Sequence, residues 1–148
     1  IDLLDSRLNA CPERSAEFQH GPRPGQLAPE CALLLAGGRA GFLSELCGVH
    51  FTLLSFCAQE SAPQAMHPAL SALPALANVP LQCRAIAQRG GCAGAAVDFS
   101  GDCFSLFDAQ PGTLYLLRPD GYVAARWRDS ATPQASAEVV QALQRILD

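Results

Sequence analysis

Residues 113–127 read TLYLLRPDGYVAARW, two short apolar runs joined by Arg118-Pro119-Asp120-Gly121. Proline presets φ at the second position of a tight turn and glycine accepts the left-handed conformation after it, so this stretch predicts an antiparallel β-hairpin. Alternate residues of a strand share a face, which puts Arg126 and Arg128 on one side and Trp127, the only tryptophan, on the other. A solvated face and a docking surface for another domain both fit that pattern. A second constraint comes from FTLLSFC at 51–57, an unbroken apolar run of the kind found in strands buried on both faces. A central strand and a hairpin at one edge require a layered sheet, not a helical bundle.

The remaining elements follow from local signals. Residues 1–30, with GPRPGQLAP at 21–29, read as an extended arm or linker, and 31–148 as one domain. CALLLAGG predicts a short strand at 31–35 running into a Gly37-Gly38 turn, and GFLSELCG at 41–48 a brief helix with Phe42, Leu43, Leu46 and Cys47 on one side. Met66, Leu70, Leu73 and Leu76 form a helical stripe that Pro68 and Pro74 must start, kink or end. LQCRAIA at 81–87 predicts a strand, 88–104 a glycine-rich loop and 103–110 a short helix. Thr132-Pro133 opens a terminal helix with Val139, Val140, Leu143, Ile146 and Leu147 on its apolar face. The expected core is Leu53, Leu54, Phe56, Leu116, Val123, Val140 and Leu143.

With 148 residues, 49% hydrophobic and 16% charged, the chain can bury a single core without staples. A net charge of −4 with scattered arginines and no lysine run excludes an electrostatic footprint for nucleic acid or anionic lipid. The apolar run CALLLA is far short of the roughly 20 residues a spanning helix needs, so a membrane role is not expected. The N-terminus carries acidic residues and no initiator Met, and reads as a processed chain or an excised piece. Seven cysteines without a C-x-x-C argue against a zinc site and a disulfide scaffold, and point to packing thiols in a reducing cytoplasm. His20, His50 and His67 have no carboxylate or cysteine at ligand spacing, so no metal site is assigned.

A βαβ unit followed by a β-hairpin and a closing helix is similar to the thioredoxin arrangement, an α/β fold with a central mixed sheet. In a thioredoxin the first central strand leads to Cys-x-x-Cys at a helix N-terminus, where the thiol pKa falls and the second cysteine resolves a mixed disulfide. Here Ser61-Ala62-Pro63-Gln64 occupies that place, and Cys57 comes four residues early, continuing the strand. The proline expected directly before the hairpin is displaced to Pro111, with Gly112-Thr113 between it and the strand. The fold is expected to be retained and the thiol chemistry lost; the alternative is a stand-alone thiol oxidoreductase or peroxidase using Cys57.

PGQLAPECALLLAGG, SELCGVHFTLLSF, LFDAQPGTLYLLRPDGYVAARW and the closing helix together resemble the C-terminal domain of the FAD-dependent aromatic-ring hydroxylases, of the 3-(3-hydroxyphenyl)propionate and phenol hydroxylase type, over residues 22–147. The resemblance implies a thioredoxin-like appendage, structural in role, that packs on preceding flavin- and substrate-binding domains and contributes to subunit contacts, with homo-oligomers expected. It also implies a parent monooxygenase using FAD and NAD(P)H, whose cofactor and substrate residues lie outside this chain. Gly101-Asp102 is like the Gly-Asp pair near the flavin ribityl chain in such enzymes. Its setting, GDCFSLFDAQPG, reads instead as a loop ending in a helix capped by Asp102. Neither Gly37, Gly38 and Gly41 nor Gly90, Gly91 and Gly94 make a dinucleotide fingerprint. No catalytic, cofactor-binding or metal-binding residue is therefore assigned.

Overall fold

A computed structural model describes residues 18–58, 81–89, 95–129 and 133–147. Its described strands form one mixed sheet of seven in the order β2-β1-β5-β4-β3-β6-β7. They are β1 (Ala32–Leu34), β2 (Ala40–Phe42), β3 (Phe51–Cys57), β4 (Leu81–Gln88), β5 (Ala96–Asp98), β6 (Leu114–Leu117) and β7 (Val123–Trp127). The long apolar run forms β3 as expected, buried from Thr52 to Cys57. It pairs in parallel with β4 and antiparallel with β6, so both of its edges are satisfied. The helical stripe expected at Met66, Leu70, Leu73 and Leu76, and Ser61-Ala62-Pro63-Gln64, lie outside the described residues.

The hairpin forms as its turn chemistry dictates. Gly121 adopts φ 87°, and its N–H donates to the Arg118 carbonyl at 2.9 Å. A register shift between Leu116 and Leu117 bends β7 against β6. Gly37 and Gly38, at φ 79° and 78°, turn β1 into β2.

Four local expectations are corrected. In place of a helix over 41–48, Ala40–Phe42 pairs with β1, and helix survives only as one 3₁₀ turn at Leu43–Glu45. The stretch is too short to offset the cost of helix nucleation, whereas the strand pairing satisfies its backbone directly. Leu43 is buried and Phe42 exposed. Within the expected loop at 88–104 lies β5, three residues that pair with β4 and β1; its signal is too brief to show periodicity. The short helix α1 covers Asp102–Leu106, and Asp102 does not cap it: Gly101, at φ 83°, holds the cap position without a side-chain bond. The capping acceptor is Asp98, whose Oδ2 takes the Phe104 N–H at 2.8 Å. In the terminal helix α2 (Pro133–Leu147), Val139, Ala142 and Leu143 are buried and Val140 only half-buried, because the helix is rolled by one residue relative to the expected face. The other six expected core residues are buried.

The sheet separates two cores. One face gathers Leu33, Leu54, Phe56, Ile86, Phe107 and Tyr115 beneath Phe18 and α1. The opposite face gathers Leu53, Leu114, Leu116, Ala124 and Ala125 beneath Val139 and Leu143 of α2. Residues 18–30 contain no helix or strand, only a bridge between Leu27 and Tyr122, and Gly25 and Ala28 donate to the carbonyls of Val123 and Gly121.

Candidate functional site

The carboxyl end of β3 is where a thioredoxin-like sheet would present its thiols. Cys57 is the last residue of that strand and is buried, with its Sγ–H donated to the Ile86 carbonyl at 3.5 Å. A thiol so directed packs against β4 and presents no nucleophile to solvent. Opposite it, Gly112 donates to the Phe56 carbonyl and Phe56 donates to the Thr113 carbonyl, both at 3.0 Å. This clamp prolongs the pairing of β3 with β6, and the Gly112 φ of 101° demands glycine there. Pro111 lies outside the ladder and exposed. Thr113 is buried and its hydroxyl donates to the Arg128 carbonyl. Backbone hydrogen bonds thus fill the position across from Cys57.

Of the hairpin arginines Arg126 turns inward, away from any solvated or docking face, while Arg118 and Arg128 are half-buried. Arg126 is buried, its guanidinium 4.0 Å from the centre of the Phe18 ring, and it donates to the His20 carbonyl at 3.1 Å. Beside it, Tyr115 donates its hydroxyl to the Phe107 carbonyl. Gly21 closes over this pair: a Cβ there would fall 2.8 Å from the Phe107 carbonyl oxygen. Trp127 projects to the other face and packs with the α2 core, as strand alternation requires. Arg118 pairs with Asp120 within the turn at 2.7 Å.

Asp108 organises the rest of this junction. It is the single described non-glycine residue at positive φ, 49°. Its carboxylate accepts the N–H groups of Gln19 at 2.7 Å and His20 at 3.4 Å. His20 Nε2 and Arg128 Nε each lie 3.6 Å from a carboxylate oxygen. Burial pushes the Asp108 carboxyl up, but the two N–H donors, Arg128 and His20 outweigh it and hold it below its ordinary range. His20 thus gains a carboxylate partner that sequence spacing did not reveal. His50 is half-buried, His67 lies outside the described residues, and among the described residues no three His, Cys, Asp or Glu side chains converge as metal ligands. No described helix is long and apolar enough to cross a membrane.

The described cysteines are all free thiols: Cys31, Cys57 and Cys103 are buried, Cys47 and Cys83 half-buried. Burial pushes the thiols of Cys47 and Cys83 up. Asp98 and Asp108 are the polar residues that sequence reading missed. Each bonds to backbone rather than to a motif partner, and only Phe-Asp-Ala-Gln ahead of Pro-Gly hints at a structured turn around Asp108.

A family model described as the aromatic-ring hydroxylase C-terminal domain matches residues 21–148. Among solved structures, the flavin-dependent monooxygenase PieE, in complex with FAD and substrate, aligns with a TM-score of 0.67 at 24% identity, covering 93% of this chain and 22% of that one. Aklavinone-11 hydroxylase, in a ternary complex with FAD and aklavinone, aligns with a TM-score of 0.63 at 23% identity, covering 84% of this chain and 21% of that one. The chain therefore corresponds to about a fifth of each monooxygenase in length. Peroxiredoxin Q from Xanthomonas campestris aligns with a TM-score of 0.57 at 19% identity, covering 95% of this chain and 99% of that one, in keeping with a thioredoxin-like fold. No curated protein matches in sequence.

Proposed function

The chain belongs to the family of aromatic-ring hydroxylase C-terminal domains, and on that premise we propose that it is a redox-dead thioredoxin-like module of a flavin-dependent aromatic hydroxylase. Its role is structural: it packs on the flavin- and substrate-binding portions of the parent enzyme and contributes to subunit contacts in a cytoplasmic homo-oligomer. Residues 1–30 serve as the connecting arm.

One observation carries the non-catalytic reading. Cys57 is buried with its thiol directed at the Ile86 carbonyl, and no second cysteine follows until Cys83, inside β4. Thiol exchange needs an accessible thiolate and a resolving partner, and this position supplies neither. FAD and NAD(P)H belong to the parent's other portions, where the flavin supplies oxygen activation. The residues described here do not fit FAD, since Gly37 and Gly38 form a hairpin turn and Asp102 is solvent-exposed.

Insulin-disulfide reduction by the protein tests this. No Cys57-dependent turnover is expected; activity above background that Cys57→Ser removes establishes the thiol oxidoreductase reading instead. Removing the domain from the parent enzyme is expected to lower its melting temperature or change its subunit mass while leaving flavin content intact.

A further inference from the structure

Among the described residues five large apolar side chains are exposed, and three of them gather around α1: Phe42 at 53%, Phe99 at 42% and Leu106 at 44%. Apolar residues exposed singly are ordinary, whereas a cluster rimmed by polar groups marks an interaction site. A groove of about 440 Å³ runs between β1 and α1, with Ala32 and Phe42 on one side and Asp102, Ser105 and Leu106 on the other. The last three stand at i, i+3 and i+4 and so share one face of α1. Phe104 takes a different face and, with Phe99, lines a second groove of about 330 Å³ at the ends of β4 and β5. α1 is thus a ridge between two grooves with apolar walls.

The charge of this surface is one-sided. Glu30 and Asp102 line the first groove, and no described Lys, Arg or His lines it. Glu30 is held there by the Ser44 N–H, which donates to its Oε1 at 3.0 Å. In the second groove Asp98 is buried; its Oδ2 accepts the Phe104 N–H, but its Oδ1 has no hydrogen-bond partner. A buried carboxylate oxygen without a donor is costly, so the site gains from a donor brought to it. Arg89 also lines this groove without bonding to that oxygen. The surface is therefore richer in acceptors than in donors and complements a basic partner.

Resting on the module reading above, we propose that this α1 surface is the face by which the module docks on the preceding portion of its parent hydroxylase, and that it receives an apolar segment bearing an Arg or Lys side chain. The apolar residues of that segment cover Phe42, Phe99 and Leu106, and its cation lies between Glu30 and Asp102, where exclusion of water strengthens the attraction. Subunit contacts then fall to other faces of the module.

Two observations favour this occupant over a second copy of the chain. PieE aligns with this chain over only 22% of its own length, so most of that polypeptide lies outside the matching domain. A partner on the same polypeptide is present at high effective concentration and needs no large interface to stay docked. A two-fold contact through this surface would instead set the acidic groove of one copy against that of the other, and like charges so placed repel.

Hydroxyl-radical footprinting of the intact parent enzyme, read residue by residue by mass spectrometry against the free 148-residue chain, tests this. Phe42, Phe99 and Leu106 are expected to be labelled several-fold more slowly in the parent. Leu27 and Val49, 57% and 83% exposed and away from α1, are expected to be labelled at the same rate in both. In the parent, Leu106→Glu and Asp102→Lys are each expected to speed proteolytic release of the module about tenfold, and Leu27→Glu to leave it unchanged. Protection of Leu27 or Val49 in place of the α1 residues moves the docking face and overturns the proposal while the module reading stands. Protection that develops in the free chain as its concentration rises identifies a second copy as the occupant, and protection in the parent that Asp102→Lys does not weaken removes the basic segment; either overturns the proposal. Absence of protection at all five residues overturns it too, and the module reading falls with it only if removing the domain leaves the parent's melting temperature and subunit mass unchanged. The footprint of the unmodified protein decides even where a variant fails to fold.

Discussion

The two faces of the sheet are closed by different means. Under α2 the core is aliphatic, built on Leu53, Leu114, Leu116, Val139 and Leu143, and the covering helix satisfies most of its own backbone. The opposite face is aromatic, with Phe56 within 5.1 to 6.1 Å of the rings of Phe104, Phe107 and Tyr115. Part of its cover is irregular chain from Phe18 onward, whose N–H and carbonyl groups have no helix and, beyond a short pairing with the hairpin at Gly25–Ala28, no ladder to satisfy them. Asp108 and Arg126 supply partners to it at Gln19 and His20, and so specific polar anchors do on this face what a repeating hydrogen-bond pattern does on the other.

The largest expected effect lies at the centre of the aromatic face. Phe56→Ala removes a fully packed ring and is expected to cost about 3–5 kcal/mol in chemical denaturation, against about 2–5 kcal/mol for Leu53→Ala on the aliphatic face. Equal values would show that ring packing adds nothing specific to the first face.

Arg126→Ala is expected to cost about 2–3 kcal/mol, because it removes both a charge-assisted bond to the His20 carbonyl and the contact with the Phe18 ring. Limited proteolysis should then cut faster near Arg23, while the α2 face keeps its protection. Unchanged cleavage would mean that the arm is held by apolar packing alone.

Asp108 gives the aromatic face a pH dependence. Its folded pKa is lowered, so the unfolded chain binds the proton more readily; the associated stability is present above the unfolded carboxylate pKa and is lost as pH falls through the lower folded value. Asn tolerates the left-handed backbone at this position, so Asp108→Asn removes the charge with little added strain. Melting curves from neutral to acidic pH should show a weaker acid-dependent loss in the variant, and parallel curves would remove Asp108 from the account. Val140→Ala should have the smallest effect, about 1 kcal/mol or less, because its side chain is only half-buried.

Much of the frame was legible locally. The hairpin at Arg118–Gly121, the buried β3 and the terminal helix each announce themselves within a few consecutive residues, through turn chemistry or hydrophobic period. So does the lack of a second cysteine in the residues directly after Cys57. β2 and β5, three residues each, carry too little pattern to be read, and they exist because neighbouring strands offer backbone partners. The inward turn of Arg126 was equally hidden, since alternation gives a side but not what covers it.

The amino-acid order by itself determined the hairpin, the central strand, the terminal helix and the family, because turn residues and apolar periods act over a handful of neighbours. Only the tertiary structure decided that His20 meets Asp108 and that Arg126 meets Phe18. Those pairs lie far apart along the chain, and their proximity depends on how the sheet stacks its strands and on which segment closes each face.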